Sequence, residues 1–214
     1  MRYCSNHFLL ALGAALLVSV FGCSGQMVVH EPGETTVDRT SGRKPSWVIR
    51  SPREDRKNVV MLGVGSDATL ERATRMARLQ ALDMTLEQAC SGYKTLYHQA
   101  VEGLIPSSEE GTDLEWVLSE GERLLRSMLP AGVKEEDQYW ERHRYYGAYG
   151  NVQYTFKVWE LVSLSGSDFT EATRAALFRL EEEARNRADT KAMELLARMN
   201  ADLEETNFLT LANE

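Results

Sequence analysis

Hydrophobic and polar positions along the chain fall into four successive patterns. From Phe8 to Phe21 the residues are almost all apolar (FLLALGAALLVSVF). A run of about 14 is shorter than the roughly 20 that a bilayer-spanning helix needs, and it has the length of a secretory h-region. Residues 24–46 are polar, rich in Gly, Thr, Ser and Pro, and have no sustained apolar period. They predict a flexible tether, whose 23 residues would hold a domain about 25–30 Å from its attachment point. From residue 47 to 166 periods of two and of 3.6 alternate, and from 167 to 214 the period is helical. The expected organisation is therefore a leader over 1–22, Cys23 and a tether over 23–46, a mixed domain over 47–166 and a long helix over 167–214.

Within the mixed segment, Val59 to Gly65 predicts a short buried strand ending in glycines, with Ser66 or Asp67 capping the helix that follows. That helix, over about 68–91, carries a small-residue stripe of Ala73, Ala77, Ala81 and Met84 for close approach to a sheet. Leu79, Leu82 and Leu86 form a neighbouring stripe for another helix. After a loop at 103–111, Thr112 and Glu115 have the spacing of a capping box. Leu114, Val117, Leu118, Gly121, Leu124, Leu125 and Met128 then follow at i, i+3, i+4, i+7, and Pro130 stops the helix. Gln138 to Tyr146 and Val152 to Leu164 predict a hairpin. Val152, Tyr154, Phe156 and Val158 would lie on one face, with Gln153, Thr155 and Lys157 on the other. Asp168 with Glu171 would cap a helix of about 39 residues and 58 Å, reaching Thr206. Its stripe is Leu177, Leu180, Ala184, Ala188, Leu195, Met199 and Leu203, and its second half would either fold back or meet a partner helix. The fold class is α+β, with helices packed on one face of a small antiparallel sheet and a long carboxy-terminal helix.

Charge narrows the function. The chain has 24 Lys and Arg against 32 Asp and Glu, a net charge of −8. Loss of residues 1–22 would take Arg2 and leave the mature chain near −9, which disfavours binding to a nucleic-acid backbone. Of the three cysteines, Cys4 would leave with the leader and Cys90 would stand alone as a small core residue at a helix end. That leaves no intramolecular disulfide.

Cys23 is the informative one. It follows Val20-Phe21-Gly22 at the end of the h-region and resembles the bacterial lipobox, from which only Phe21 departs. The resemblance implies cleavage before Cys23 and acylation of that residue, with palmitate-type chains. Several chains on one cysteine anchor a protein stably, where a single chain is marginal. Ordinary secretory cleavage, releasing a soluble protein, is the alternative. Ser24 after the cysteine is the residue type that, in enteric-type lipoproteins, permits passage to the outer membrane. The periplasmic or surface-facing side stays open.

Further along, Pro45-x-Trp47, a Gly63-Val64-Gly65-Ser66 strand end, an Ala68, Ala73, Ala77, Ala81 helix and a Tyr139-Trp140-Glu141 strand occur in that order. Over roughly 45–165 the chain resembles the LPP-twenty lipoprotein family, whose domain is also similar to the amino-terminal domain of flagellar assembly protein T. The resemblance implies an α+β domain with an envelope role, and it supplies no catalytic residues.

The residues themselves offer little chemistry. Gly63-x-Gly65-x-x-Ala68 loosely matches a dinucleotide fingerprint, but no second parallel strand follows where a βαβ unit needs one. His30, His98 and His143 are not at metal-ligand spacing. His143 beside Glu141 reads as surface polarity, and Glu181–Glu183 as a solvated helix face. Tyr139, Trp140, Tyr145, Tyr146 and Tyr149 could stack on sugars or a peptide, or pack a sheet core. The expectation is a non-catalytic, lipid-anchored binding or assembly module with no cofactor or metal, and with a protein partner engaged through the hairpin or the final helix. The alternative is an envelope enzyme or small-ligand binder using the Gly63-Val64-Gly65 turn.

Overall fold

The computed structural model describes residues 34–50, 58–104, 114–146 and 151–205. The h-region, Cys23, His30, the capping-box residue Thr112 and Tyr149 lie outside the described residues. One compact unit begins at Glu34. Its elements are β1 (Thr35–Arg39), α1 (Ser46–Ile49), β2 (Asn58–Asp67), α2 (Leu70–Glu102), α3 (Glu115–Met128), β3 (Lys134–Tyr146), β4 (Val152–Ser165), α4 (Gly166–Asn186) and α5 (Thr190–Glu205). The strands form one antiparallel sheet in the order β1-β3-β4-β2, and the fold class is α+β as the periodicity predicts.

Small residues govern how the helices meet the sheet. Ala73, Ala77 and Ala81 are fully buried along one side of α2 and lie on β2 and β4. Opposite them, Gly63 and Gly65 pair with Glu160 and Val158 of β4. A Cβ at Gly63 would stand 1.9 Å from the Ala77 carbonyl oxygen, and one at Gly65 would stand 1.9 Å from that of Ala73. The glycines therefore sit inside the strand, not at a turn after it. Helix backbone fills the space that a pyrophosphate would need. The cap lies further on too: Thr69 Oγ1 accepts from Arg72 N, and Asp67 accepts from Thr69 N at 3.0 Å.

Helix α2 runs eleven residues past the expected end at 91, for a length of about 50 Å. Tyr93, Leu96, Tyr97 and Ala100 continue its buried side, which overrides the break that Ser91 and Gly92 suggest. Cys90 is thus a mid-helix core residue, and burial pushes its thiol up. Tyr93 lies over Gly121 of α3 and donates to the Val117 carbonyl at 3.0 Å. Burial, with Tyr97 and Glu122 nearby, raises its hydroxyl out of the range in which it ionises. Two α2 residues expected in the core face outward instead, Leu79 and Met84. Helix α3 buries Val117, Gly121, Leu124 and Leu125 and ends in a 3₁₀ turn at Leu129–Ala131 that contains Pro130.

The final helix is two helices. The chain turns at Arg187–Asp189, with Ala188 at φ 53. Ala188 N donates to Arg185 O and Asp189 N to Ala184 O, the paired bonds of a Schellman ending. The Asp189 carboxylate then accepts from Ala192 N at 2.9 Å and caps α5. Helix α5 folds back on α4 and α2, burying Leu195, Leu196, Met199 and Leu203. At the other end, Ser165 caps α4 by accepting from Asp168 N, so the capping pair is Ser165–Asp168 and not Asp168–Glu171.

One domain boundary moves. Residues 35–39, predicted as tether, are a strand paired with β3. Thr40 continues the pairing through bonds between its backbone and hydroxyl and Trp140. Polar side chains hid this strand because an edge strand draws its hydrogen bonds from the backbone and needs only one partner. Among the described residues no helix is long and apolar enough to cross a membrane.

Candidate interaction face on the hairpin

Strand alternation divides β3 and β4 into two faces with different contents. Odd positions face away from α2. There Tyr139 pairs with Trp159, Glu141 with Lys157 and His143 with Thr155. Residues 34–47 cover this face: Lys44 Nζ stands 4.3 Å over the Trp159 ring and 3.1 Å from Glu141 Oε2, and Trp47 Nε1 donates to Asp137 at 2.9 Å. Glu141 and His143, expected on the surface, are consequently buried. Tyr139 donates to Glu141 at 3.0 Å, and His143 Nε2 lies 3.2 Å from the same carboxylate. His143 Nδ1 is 3.0 Å from Glu34, close enough for ion pairing but off the direction of a hydrogen bond.

Burial alone would push the Glu141 carboxyl up. The Lys44 ammonium, the Tyr139 hydroxyl and His143 outweigh it and hold the group below the ordinary glutamate value of 4.5. A carboxylate with a lowered folded pKa stabilises fully above its unfolded value, and that contribution is lost as pH falls through the folded value. Glu141→Gln is therefore expected to cost about 1–3 kcal/mol near neutrality. The gap from the parent should shrink as the pH drops below 4.5. Urea titrations across that range measure it, and a gap independent of pH would contradict the assignment.

Even positions face the helix side. Near the base of the hairpin this face is closed: Glu160 is fully buried, accepting from Arg78 Nε at 2.9 Å and from Gln138 at 3.4 Å, while Arg78 also pairs with Glu135. Further out it opens. The last β2–β4 pair is Asp67 with Phe156, and α2 begins only at Leu70. Beyond the Arg142–Phe156 row, which Asp67 still flanks, the rows Arg144–Tyr154 and Tyr146–Val152 have no strand beside them on the β2 side.

These rows interleave guanidinium groups with rings. Arg142 lies 4.2 Å over Tyr154 and 5.7 Å from Phe156, Arg144 lies 5.7 Å over Tyr146, and Trp140 meets Phe156 edge-on at 5.9 Å. Tyr146, Val152 and Tyr154 are 57%, 47% and 41% exposed, so apolar surface is open on these rows. Among the described residues neither Arg142 nor Arg144 has a carboxylate partner, and the Nε of each is buried without a hydrogen bond.

Of the five aromatics expected to act together, the four described ones are divided. Tyr139 is buried and Tyr145 half-buried on the odd face; Trp140 and Tyr146 lie on the even face, Trp140 partly under Leu70. His98 is exposed on α2, edge-on to Tyr97. Arg142 and Arg144 alternate with Trp140 and Tyr146 at a spacing of two, and that spacing is the signal in the sequence that marks them as one face. Lys44 and Glu34 reach the site from distant chain and left no such signal. Among the described residues no group of three or more His, Cys, Asp or Glu is placed to hold a metal ion. Set against known proteins, the chain matches no family model, no curated protein and no solved structure.

Proposed function

We propose that this chain is a non-catalytic bacterial envelope lipoprotein, held at the outer membrane by acyl chains on Cys23. Its α+β domain acts as a binding or assembly module for an envelope or surface complex. The observation that carries the binding role is the open even face of the hairpin, where two arginines without carboxylate partners among the described residues lie among exposed tyrosines. Contiguous apolar surface of this kind on a soluble domain marks an interaction site. The other surface considered for a partner, the second half of the final helix, is spent on the domain's own core. Gly63 and Gly65 lie under α2 backbone, which favours the binding-module reading over a ligand-binding turn. On this reading the chain is a divergent relative of the LPP-twenty lipoproteins.

The anchor rests on the h-region ending at Gly22-Cys23. Cys23→Ser is expected to move the protein from the membrane fraction to the soluble one. Mass spectrometry of the mature amino-terminal peptide should show fatty acid on Cys23. An unmodified peptide, or fractionation that the substitution leaves unchanged, would remove the anchor from the proposal.

A further inference from the structure

The open face lies at a particular end of the domain. Strand β1 enters the sheet with Thr35 opposite Arg144, so the chain arriving from Cys23 joins the domain beside the distal rows of the hairpin. Glu34 lies eleven positions after Cys23. Covalent geometry lets such a segment span at most about 36–40 Å. A bilayer holding Cys23 is therefore within reach of these rows.

Their charge suits that surface. On the even face of these rows the described residues of β3 and β4 hold Arg142 and Arg144 and no Asp or Glu, with Asp38 of β1 opposite Arg142, although the chain's net charge is −8. The guanidinium of Arg142 lies on the Tyr154 ring and that of Arg144 on the Tyr146 ring, so these ring faces are occupied and ill placed to stack on a sugar. The Nε of each arginine is buried, so a phosphate would be met by the terminal Nη groups, together with the edges and hydroxyls of the exposed tyrosines. Tyrosines of this amphipathic kind collect at the headgroup layer of membranes.

We propose that the distal hairpin is a second membrane contact. Arg142 and Arg144 engage phospholipid phosphates while Tyr146, Val152 and Tyr154 enter the headgroup layer. This deepens the lipoprotein reading and rests on it: the acyl chains fix the distance of the domain from the bilayer, and the hairpin fixes its orientation. The component of the envelope that this face meets first is the lipid surface itself.

The test uses the full mature chain carrying Cys23→Ser, so that no acyl chain contributes. It is sedimented with vesicles of phosphatidylcholine containing about 30% phosphatidylglycerol and, separately, with vesicles of phosphatidylcholine alone. Binding to the anionic vesicles is expected, weakening as salt is raised. Each arginine at an anionic surface contributes roughly fivefold, so Arg142→Gln with Arg144→Gln should lower partitioning by about tenfold or more. Tyr146→Ser with Val152→Ser, both at exposed positions, should weaken it as well, and circular dichroism checks that each variant is folded. Absence of binding, binding indifferent to salt and to the arginines, or tighter binding to polyglutamate than to anionic vesicles would overturn the proposal; the last would point to an acidic protein partner. The two readings fail separately. A Cys23 without fatty acid would remove the anchor and leave vesicle binding intact, whereas an acylated Cys23 with no vesicle binding would remove only the hairpin contact.

Discussion

Gly63→Val is expected to destabilise the domain by about 3 kcal/mol or more, enough to abolish the native state in a marginally stable protein. A Cβ at this position would lie 1.9 Å from Ala77 O, 2.7 Å from Ala81 N and 2.8 Å from Ala81 Cβ. Two of those three neighbours are helix backbone and the third is a methyl with no rotamer to change. Relief requires α2 to move off the sheet as a body. That motion would also uncover Val158 and Glu160, which the helix keeps buried. Gly65→Val should do the same against Ala73 O and Ala77 N. Gly42→Ala, where a Cβ meets nothing within 4 Å, should stay within about 0.5 kcal/mol of the parent. Urea midpoints for the three variants, measured without any ligand, decide the matter. A Gly63→Val protein that unfolds at the parental midpoint would mean that α2 does not sit on β2 as described.

This packing was half legible in the sequence. Ala73, Ala77 and Ala81 recur every four residues, and such spacing announces a helix that approaches something closely. Gly63 and Gly65 are the matching half, but a strand followed by Gly-x-Gly and a helix also resembles a phosphate loop. Only the antiparallel pairing of β2 with β4 tells the two apart, and that pairing is formed with residues almost a hundred positions away. The hairpin was legible for the same reason as the alanine stripe, because period-two alternation is local. The strand β1 was not, since its partner β3 supplies the order that its own polar side chains do not encode. Nor was the break in the final helix. Arg187-Ala188-Asp189 contains no glycine, yet Ala188 adopts the left-handed conformation. Ala is the smallest residue with a Cβ and carries a penalty there of about 1–2 kcal/mol. Burial of Leu195, Leu196 and Met199 by the returning helix contributes roughly 1.5–3 kcal/mol for each side chain and outweighs it. In the candidate site the same division holds. Arg142 and Arg144 share a face by strand geometry alone, whereas the cover that buries Glu141 and His143 comes from Glu34, Lys44 and Trp47, on chain read as tether or domain entry.

A fully buried carboxylate stands within the sheet, on β4. Glu160 has no solvent exposure, and its one cationic partner among the described residues is Arg78, which reaches from α2 and also contacts Glu135 at the start of β3. An anion in this position depends on its partners. Removing one partner of a buried pair costs about 3–5 kcal/mol because the remaining charge is left in a medium that solvates it poorly. The Arg78 side chain is itself 57% exposed, so water can enter as it leaves, and Gln138 still donates to Glu160. Arg78→Met is therefore expected at the lower end, a loss of about 2 kcal/mol. Its aliphatic replacement keeps most of the stem that lies on the sheet, so the loss reads charge and hydrogen bonding more than packing. Arg78→Met combined with Glu160→Leu removes both charges and should recover most of the deficit, because no buried ion is then left unpaired. The pair thus supplies specificity for how α2 seats on β4 more than it supplies net stability. If the double variant is less stable than Arg78→Met alone, or if Arg78→Met matches the parent, the carboxylate is sustained by something other than this guanidinium, and the account of the sheet's polar centre is wrong.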